Sequence, residues 1–223
     1  MKIKKLHEWD LSPSGAVELQ KQLAAEVVTQ DRFAGPVMTV AGLDLGHDAK
    51  TNMSRSIVAV LNFPELELVE SAEAVLPTVF PYVPGLLSFR ETPVAIKALE
   101  KLNTAPDLLM VDGQGFAHPR RFGVACHVGV LADVPTIGVA KSILVGKHED
   151  PGNERGSRAD LIHRGESIGV VLRTKDNVRP LFISVGHRIR LETSVEFTLR
   201  CVTKYRQPEP TRVADKMASY RKV

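Results

Sequence analysis

Two carboxylates sit where the sequence makes an acid costly. Asp44 lies inside Ala41-Gly42-Leu43-Asp44-Leu45-Gly46, an apolar run with the look of a strand, and an ionised group there needs a partner or a bound cation. Asp112 closes a second apolar run, Leu108-Leu109-Met110-Val111-Asp112-Gly113, at the end of a strand where α/β sheets usually build their sites. If the two strands are neighbours, their axes lie about 4.8 Å apart and same-face carboxylates could share or bridge divalent ions, which would make a Mg²⁺ or Mn²⁺ site. Asp-Gly is also a common turn pair. Taken alone, Glu91 reads as a helix-end acid and Asp215 as an i,i+4 partner for a surface cation.

Positive charge gathers in two places. Arg120 and Arg121 stand beside His118 and Pro119, a cluster of the kind that holds phosphates, and Arg200, Lys204, Arg206, Arg212, Lys216, Arg221 and Lys222 make the C-terminal segment cationic against Glu209 and Asp215. A solvated basic face would look the same on charge alone. In Pro81-Tyr82-Val83-Pro84 the two prolines stiffen the chain, and Pro84 biases Val83 toward an extended conformation. An aromatic ring is thereby presented with little entropy left to lose.

The elements that must position these groups follow from periodicity. Ser14 to Gln30 carries Ala16, Leu19, Leu23 and Val27 at helical spacing, with Ser14 as the N-cap. Met38–Leu45, Ser56–Asn62 and Leu66–Leu76 read as three consecutive strands, and the short Phe63-Pro64-Glu65 turn makes at least two of them antiparallel. Helices are expected over Ser88–Leu102, Phe122–Ala132, Thr193–Lys204 and Arg212–Tyr220, with strands at Asp107–Asp112, Thr136–Val139, Ile168–Leu172 and Leu181–Val185. Lys147–Ser157, with Pro151, Gly152 and Gly156, reads as a surface loop. Three strands followed by alternating helix and strand give an α/β fold with a mixed central β-sheet flanked by helices on both faces.

At 223 residues and 43% apolar, the chain can bury one substantial core, and a single domain over 1–223 is expected. Cys126 and Cys201 lie outside any disulfide framework or zinc spacing, which fits a reducing cytoplasm. The charged segment Met1–Trp9 has no apolar core of a leader, and no stretch is long enough to span a bilayer, so no membrane partner is expected. The net charge of +3 does not by itself name a partner.

At the next level the residues become family-specific. Pro81-Tyr82-Val83-Pro84-Gly85-Leu86-Leu87-Ser88-Phe89-Arg90-Glu91 resembles the signature of the endonuclease V (deoxyinosine 3′-endonuclease) family. Val111-Asp112-Gly113, His118-Pro119-Arg120-Arg121, Pro135 through Ser142, Gly186-His187-Arg188 and Pro208 through Arg212 are similar to its further blocks in order and spacing. The resemblance runs from about Val40 to Ala218. It implies a ribonuclease H-like fold, with Asp44, Asp112 and Glu91 as metal acids and Asp215 close by. It further places Lys141 near the scissile phosphate and His118 near the cut. Pro81, Tyr82, Val83 and Pro84 would form a wedge, and Gly85, Leu87, Gly113, Gly138, Ala140 and Leu144 would line a base pocket where glycines let backbone amides approach the purine.

The implied activity is Mg²⁺-dependent incision, with Mn²⁺ able to substitute, beside a deaminated base, chiefly inosine, extruded from the stack. Cleavage would fall at the second phosphodiester 3′ to the lesion and leave 3′-hydroxyl and 5′-phosphate ends, as a step of DNA repair. The implied partners are inosine-containing DNA or inosine-containing RNA, bound by a monomer. Two departures stand out: Gln114 occupies a position where the family usually has histidine, and Cys126 one where serine is common. Two rival readings remain from the residues themselves. Asp44-Leu45-Gly46 also resembles a phosphate-loop fragment of actin- or sugar-kinase-like ATPases, though this chain is short for their two lobes. A noncatalytic nucleic-acid-binding module would account for the basic tail but not for an acid inside an apolar strand.

Overall fold

The computed structural model describes residues 1–219; Tyr220 and the cations Arg221 and Lys222 lie outside the described residues. One eight-stranded sheet organises the chain: β1 Thr39–Asp48, β2 Met53–Asn62, β3 Leu68–Pro77, β4 Leu108–Val111, β5 Thr136–Ala140, β6 Arg158–His163, β7 Glu166–Leu172 and β8 Leu181–His187. Its spatial order is β3-β2-β1-β4-β5-β8-β7-β6. The pairs β1–β4 and β4–β5 are parallel, whereas β1–β2, β2–β3, β5–β8, β8–β7 and β7–β6 are antiparallel. The expected mixed sheet and antiparallel opening hairpins are therefore present.

Side-chain alternation divides the core into two faces. Ala41, Leu43, Leu109 and Val111 pack with Val94, Ala95 and Ala98 of helix α2 (Leu87–Glu100) and with Ala125 and Val128 of α3 (Val124–Ala132). Val40, Leu108 and Met110 point the other way, toward Val195 of α4 (Leu191–Arg200) and Ala214 of α5 (Glu209–Ser219). Helix α1 (Pro13–Ala24) lies outside α3 and joins Leu23 to Phe122, Cys126 and Val130. Asp107 ties the starts of β1 and β4 together: its Oδ2 accepts from the backbone N–H of Met38 (3.0 Å) and Thr39 (2.9 Å).

Several boundaries differ from the sequence reading. The N-cap of α1 is Ser12, whose hydroxyl accepts from Gly15 N–H at 3.1 Å; Pro13 then takes the first helical position, which needs no N–H donor. This helix stops at Ala24 rather than Gln30 because the following backbone is recruited elsewhere. Val28 N–H donates to His187 Nδ1 (3.3 Å) and the Val28 carbonyl accepts from Arg188 N–H (2.6 Å). Strand β6 went unanticipated. It is an edge strand pairing with β7, and Leu161 is its buried residue, so it carries almost no apolar pattern. Both cysteines are buried and free, and burial pushes both thiols up in pKa. Among the described residues no helix is long and apolar enough to cross a membrane.

Candidate active site

Register brings the two strand acids together. Leu43 is the parallel partner of Val111, and Asp112 N–H donates to the Leu43 carbonyl at 3.0 Å. Asp44 and Asp112 thus occupy matching positions one step further on. They share the parity of Val40 and Met110, so both carboxylates fall on the α5 face. Helix α5 can lie close on β1 because residue 42 is glycine: a Cβ there would overlap the Pro210 backbone. That seating delivers Asp215 to the same charge field, where it opposes ionisation of Asp44 and Asp112. Glu91 reaches the group from α2, on the far face of the sheet, and interacts with both strand acids.

Burial is the main perturbation. It raises Asp44 to about 6, with the charges of Asp112 and Asp215 adding to it, and raises Glu91 to about 7. Asp112 is also raised by burial, although Lys141 works against the shift. Lys141 follows directly on β5, and its Nζ stands 2.6 Å from Asp112 Oδ2. For Lys141 burial disfavours the charge, but the hydrogen bond and charge of Asp112 outweigh it and the pKa rises.

Buried oxygen donors whose pKa values are raised, chiefly by burial and further by one another's charge, suit a hard divalent ion. As the side chains stand, among the described residues no three His, Cys, Asp or Glu groups converge tightly enough to enclose one; Lys141 already holds an oxygen of Asp112. The donor chemistry of Asp44, Asp112 and Glu91 fits such an ion.

Next to the acids opens a cavity of about 330 Å³. Of the residues expected around a base, Gly85, Leu87, Gly113, Ala140 and Leu144 line it, together with Tyr82, Val83 and Pro84 of the expected wedge and with Glu91, Asp112, Lys141 and His118. Asp44, Asp215, Pro81 and Gly138 are not among its lining residues. Gly138 instead packs behind the wall, where a Cβ would run into the backbone of Gly113 and Gly115. Tyr82 stands at the mouth, 68% exposed, with the Arg90 guanidinium 5.8 Å from its ring centroid.

His118 and the two arginines are bonded to other groups of the protein. His118 is buried; its Nε2–H donates to the Gly85 carbonyl (3.0 Å) and its Nδ1 accepts from Arg120 N–H (3.2 Å). Burial, reinforced by Arg120, lowers its pKa to about 4, so the ring is neutral near pH 7 and both nitrogens are engaged. Arg120 Nη2 donates to Gly85 O at 2.7 Å. Arg121 pairs with Glu166 at 2.7 Å and donates to the His118 carbonyl at 2.9 Å. In these contacts both arginines engage the protein's own carbonyls and a carboxylate.

Gln114 donates from Nε2 to the Ser142 carbonyl (2.8 Å), bracing the far wall, while its Oε1 is buried with no hydrogen-bond partner among the described residues. Cys126 sits at 3.5 Å from the Val185 carbonyl inside the core. One buried polar residue beside the site escaped sequence reasoning: Gln20, completely buried and bonded to the loop that carries Tyr82. The available signal was a polar residue on the apolar stripe of α1, between Ala16 and Leu23.

The sequence model of the endonuclease V family matches residues 21–216. A protein named endonuclease V from Trichormus variabilis is 54% identical over 221 residues, covering 99% of this chain and all of that protein. The chain belongs to the endonuclease V family. Its fold is accordingly ribonuclease H-like. The crystal structure of endonuclease V from Streptomyces avermitilis superposes with a TM-score of 0.91 at 40% identity, over 99% of this chain and 97% of that one. Ciona intestinalis endonuclease V, crystallised with a 23mer DNA containing an inosine followed by a ribo-adenosine, gives a TM-score of 0.82 at 28% identity, over 94% and 98% of the two chains.

Proposed function

We propose that this protein is a divalent-metal-dependent endonuclease that admits a deaminated base, chiefly hypoxanthine, to the cavity beside the acids and hydrolyses the neighbouring strand in DNA repair. The observation that carries this reading is the juxtaposition of two parts: a recess of about 330 Å³ with an exposed tyrosine among its lining residues, and a group of buried acids beside it, of which Glu91 and Asp112 reach its wall. Hypoxanthine arises by deamination, and the inosine-containing DNA bound to the Ciona relative is of that class.

Asp44 and Asp112, with Glu91, would hold Mg²⁺, and Mn²⁺ could replace it; Asp215 adds negative field. The ion, when bound, would supply an activated water and charge neutralisation at the phosphate. Lys141, beside Asp112, would set its ammonium against the developing phosphate charge. Tyr82 would fill the gap left in the stack by the extruded base, offsetting part of the few kcal/mol that extrusion costs. Neutral His118 shapes the wall and moves no proton near pH 7. Scission of the P–O3′ bond at the second phosphodiester 3′ to the lesion would leave 3′-hydroxyl and 5′-phosphate ends.

A nicking assay on duplexes with one inosine, mapped to the nucleotide, with Mg²⁺ and with chelator, tests the reading. Matched oligonucleotides carrying inosine in DNA or RNA show which sugar is preferred, and ATP turnover measured alongside tests the rival phosphotransferase. Incision independent of inosine or of the cation, or ATP hydrolysis in place of nicking, overturns the proposal.

A further inference from the structure

Gly85 ends the Tyr82 loop with φ +78°, and its carbonyl faces three donors: Arg120 Nη2 at 2.7 Å, His118 Nε2 at 3.0 Å and Gln20 Nε2 at 3.2 Å. A carbonyl oxygen offers two lone pairs, so this oxygen is more than satisfied. Gln20 is the hub. Its Nε2 also donates to the Phe122 carbonyl at 2.6 Å, and its Oε1 accepts from Arg120 Nε. With 0% exposure, its amide spends both N–H groups and the oxygen on the Tyr82 loop and on the segment leading into α3. A side chain at residue 85 would be strained by the positive φ and would press on Arg120 Nη2, which stands 2.8 Å from where a Cβ would lie.

We infer that Gln20, from α1 and far in sequence from the site, is a positioning residue for opening the duplex: with His118 and Arg120 it clamps the Gly85 peptide so that Tyr82 projects as a rigid wedge. The inference rests on the proposed role of Tyr82. Among the described contacts, the Arg90 guanidinium is what meets the exposed Tyr82 ring, so the ring's direction is set by the backbone beneath it. A loop fixed before DNA arrives has little ordering entropy left to lose, which favours insertion. Releasing the clamp therefore weakens the step in which the ring enters the stack and leaves the acids in place.

The test uses the full chain with Gln20→Met, which keeps length and removes the amide, and Gln20→Glu, which keeps an oxygen for Arg120 and removes both donors. Hydrogen exchange of the 81–87 loop should rise in both. Cutting of inosine in a duplex at sub-saturating substrate should fall about tenfold, and inosine in a single strand by less than about threefold, at about 1.4 kcal/mol per tenfold. On a Tyr82→Ala background the same Gln20 change should add less than about twofold to the duplex loss, because groups acting through one another are not additive.

Unchanged loop exchange overturns the clamp. Raised exchange with equal losses on both substrates, or a full second loss on the Tyr82→Ala background, overturns its link to the wedge. Tyr82→Ala alone losing equally on both substrates would instead remove the wedge reading, and the exchange measurement would still judge the clamp. If Gln20→Met does not fold, Gln20→Glu carries the same comparison.

Discussion

The two ends of the cavity solve opposite problems. At the Gly85 end the polar groups described are committed: three donors meet one carbonyl, His118 is kept neutral, and Arg120 is folded inward. At the acid end, Asp44, Glu91 and Asp112 are held above their ordinary pKa, mainly by burial, with Lys141 as the cation in contact with Asp112. One end is complete without a ligand and defines shape. The other holds buried acids whose ionisation is disfavoured, and on the proposed function a cation would relieve it. A site that must extrude a base and then cut a phosphodiester needs both, rigidity where the strand is pried open and unmet charge where the reaction occurs.

The largest effect should come from the acids. Asp44→Asn or Asp112→Asn should cut incision by about 10³-fold or more, since a Lewis-acid ion is worth several kcal/mol in the transition state and each 1.36 kcal/mol is tenfold. Both variants should stay folded and still bind inosine-containing strands, as gel shift and circular dichroism would register; normal Mg²⁺-dependent turnover by either removes the proposed ion site. Lys141→Ala should follow with a loss of about 10²–10³ in kcat, as for removal of a single electrostatic donor, with little change in KM; a loss confined to KM would place Lys141 in binding instead. Tyr82→Ala should weaken cutting of duplex inosine by about tenfold, with base–aromatic stacking worth roughly 1–3 kcal/mol, and single-stranded inosine by less.

Smallest is a pair of pH effects on stability, measured in chelator, which run in opposite directions at the two ends. Glu91 ionises near 7 in the folded chain against 4.5 ordinarily, so the folded state keeps a proton that the unfolded state releases. Its contribution is complete below about pH 4.5 and is lost as pH rises through about 7. His118 is lowered to about 4 from 6.5; its contribution is present above pH 6.5 and lost as pH falls through about 4. Glu91→Gln should therefore raise the melting temperature by a few degrees at pH 8, with the gain shrinking toward pH 4.5, at roughly 2–4 °C per kcal/mol. In His118→Gln the drop in stability between pH 6.5 and 4 should become shallower. Identical pH profiles for wild type and both variants would erase the contrast between the ends.

The acid end was the more legible in sequence, because a charged residue inside an apolar strand is a conflict that a single line of residues displays. Asp44 and Asp112 could be singled out that way, and strand alternation plus the β1–β4 register then puts them together. Glu91 and Asp215 could not: each sits on a helix whose packing against the sheet decides its reach, and they entered through resemblance. The Gly85 end was less legible because Arg120 and Arg121 look like free cations until their partners, Gln20 and Glu166, are known from distant segments. Strand β6 was missed for a related reason, since an exposed edge needs few apolar residues. Contacts that depend on long-range closure leave little local periodicity to read.

The central claim, that the acids are poised for a cation, is tested most directly by thermal melting of wild type, Asp44→Asn and Asp112→Asn with and without millimolar Mg²⁺ at pH 8. A ligand that binds the folded state alone stabilises it by mass action. In metal-free buffer each substitution should raise the melting temperature by removing a charge that burial disfavours, and Mg²⁺ should then raise wild type by several degrees and the variants by about none. Equal Mg²⁺ shifts in all three proteins, or a lower melting temperature for both variants without metal, would contradict it.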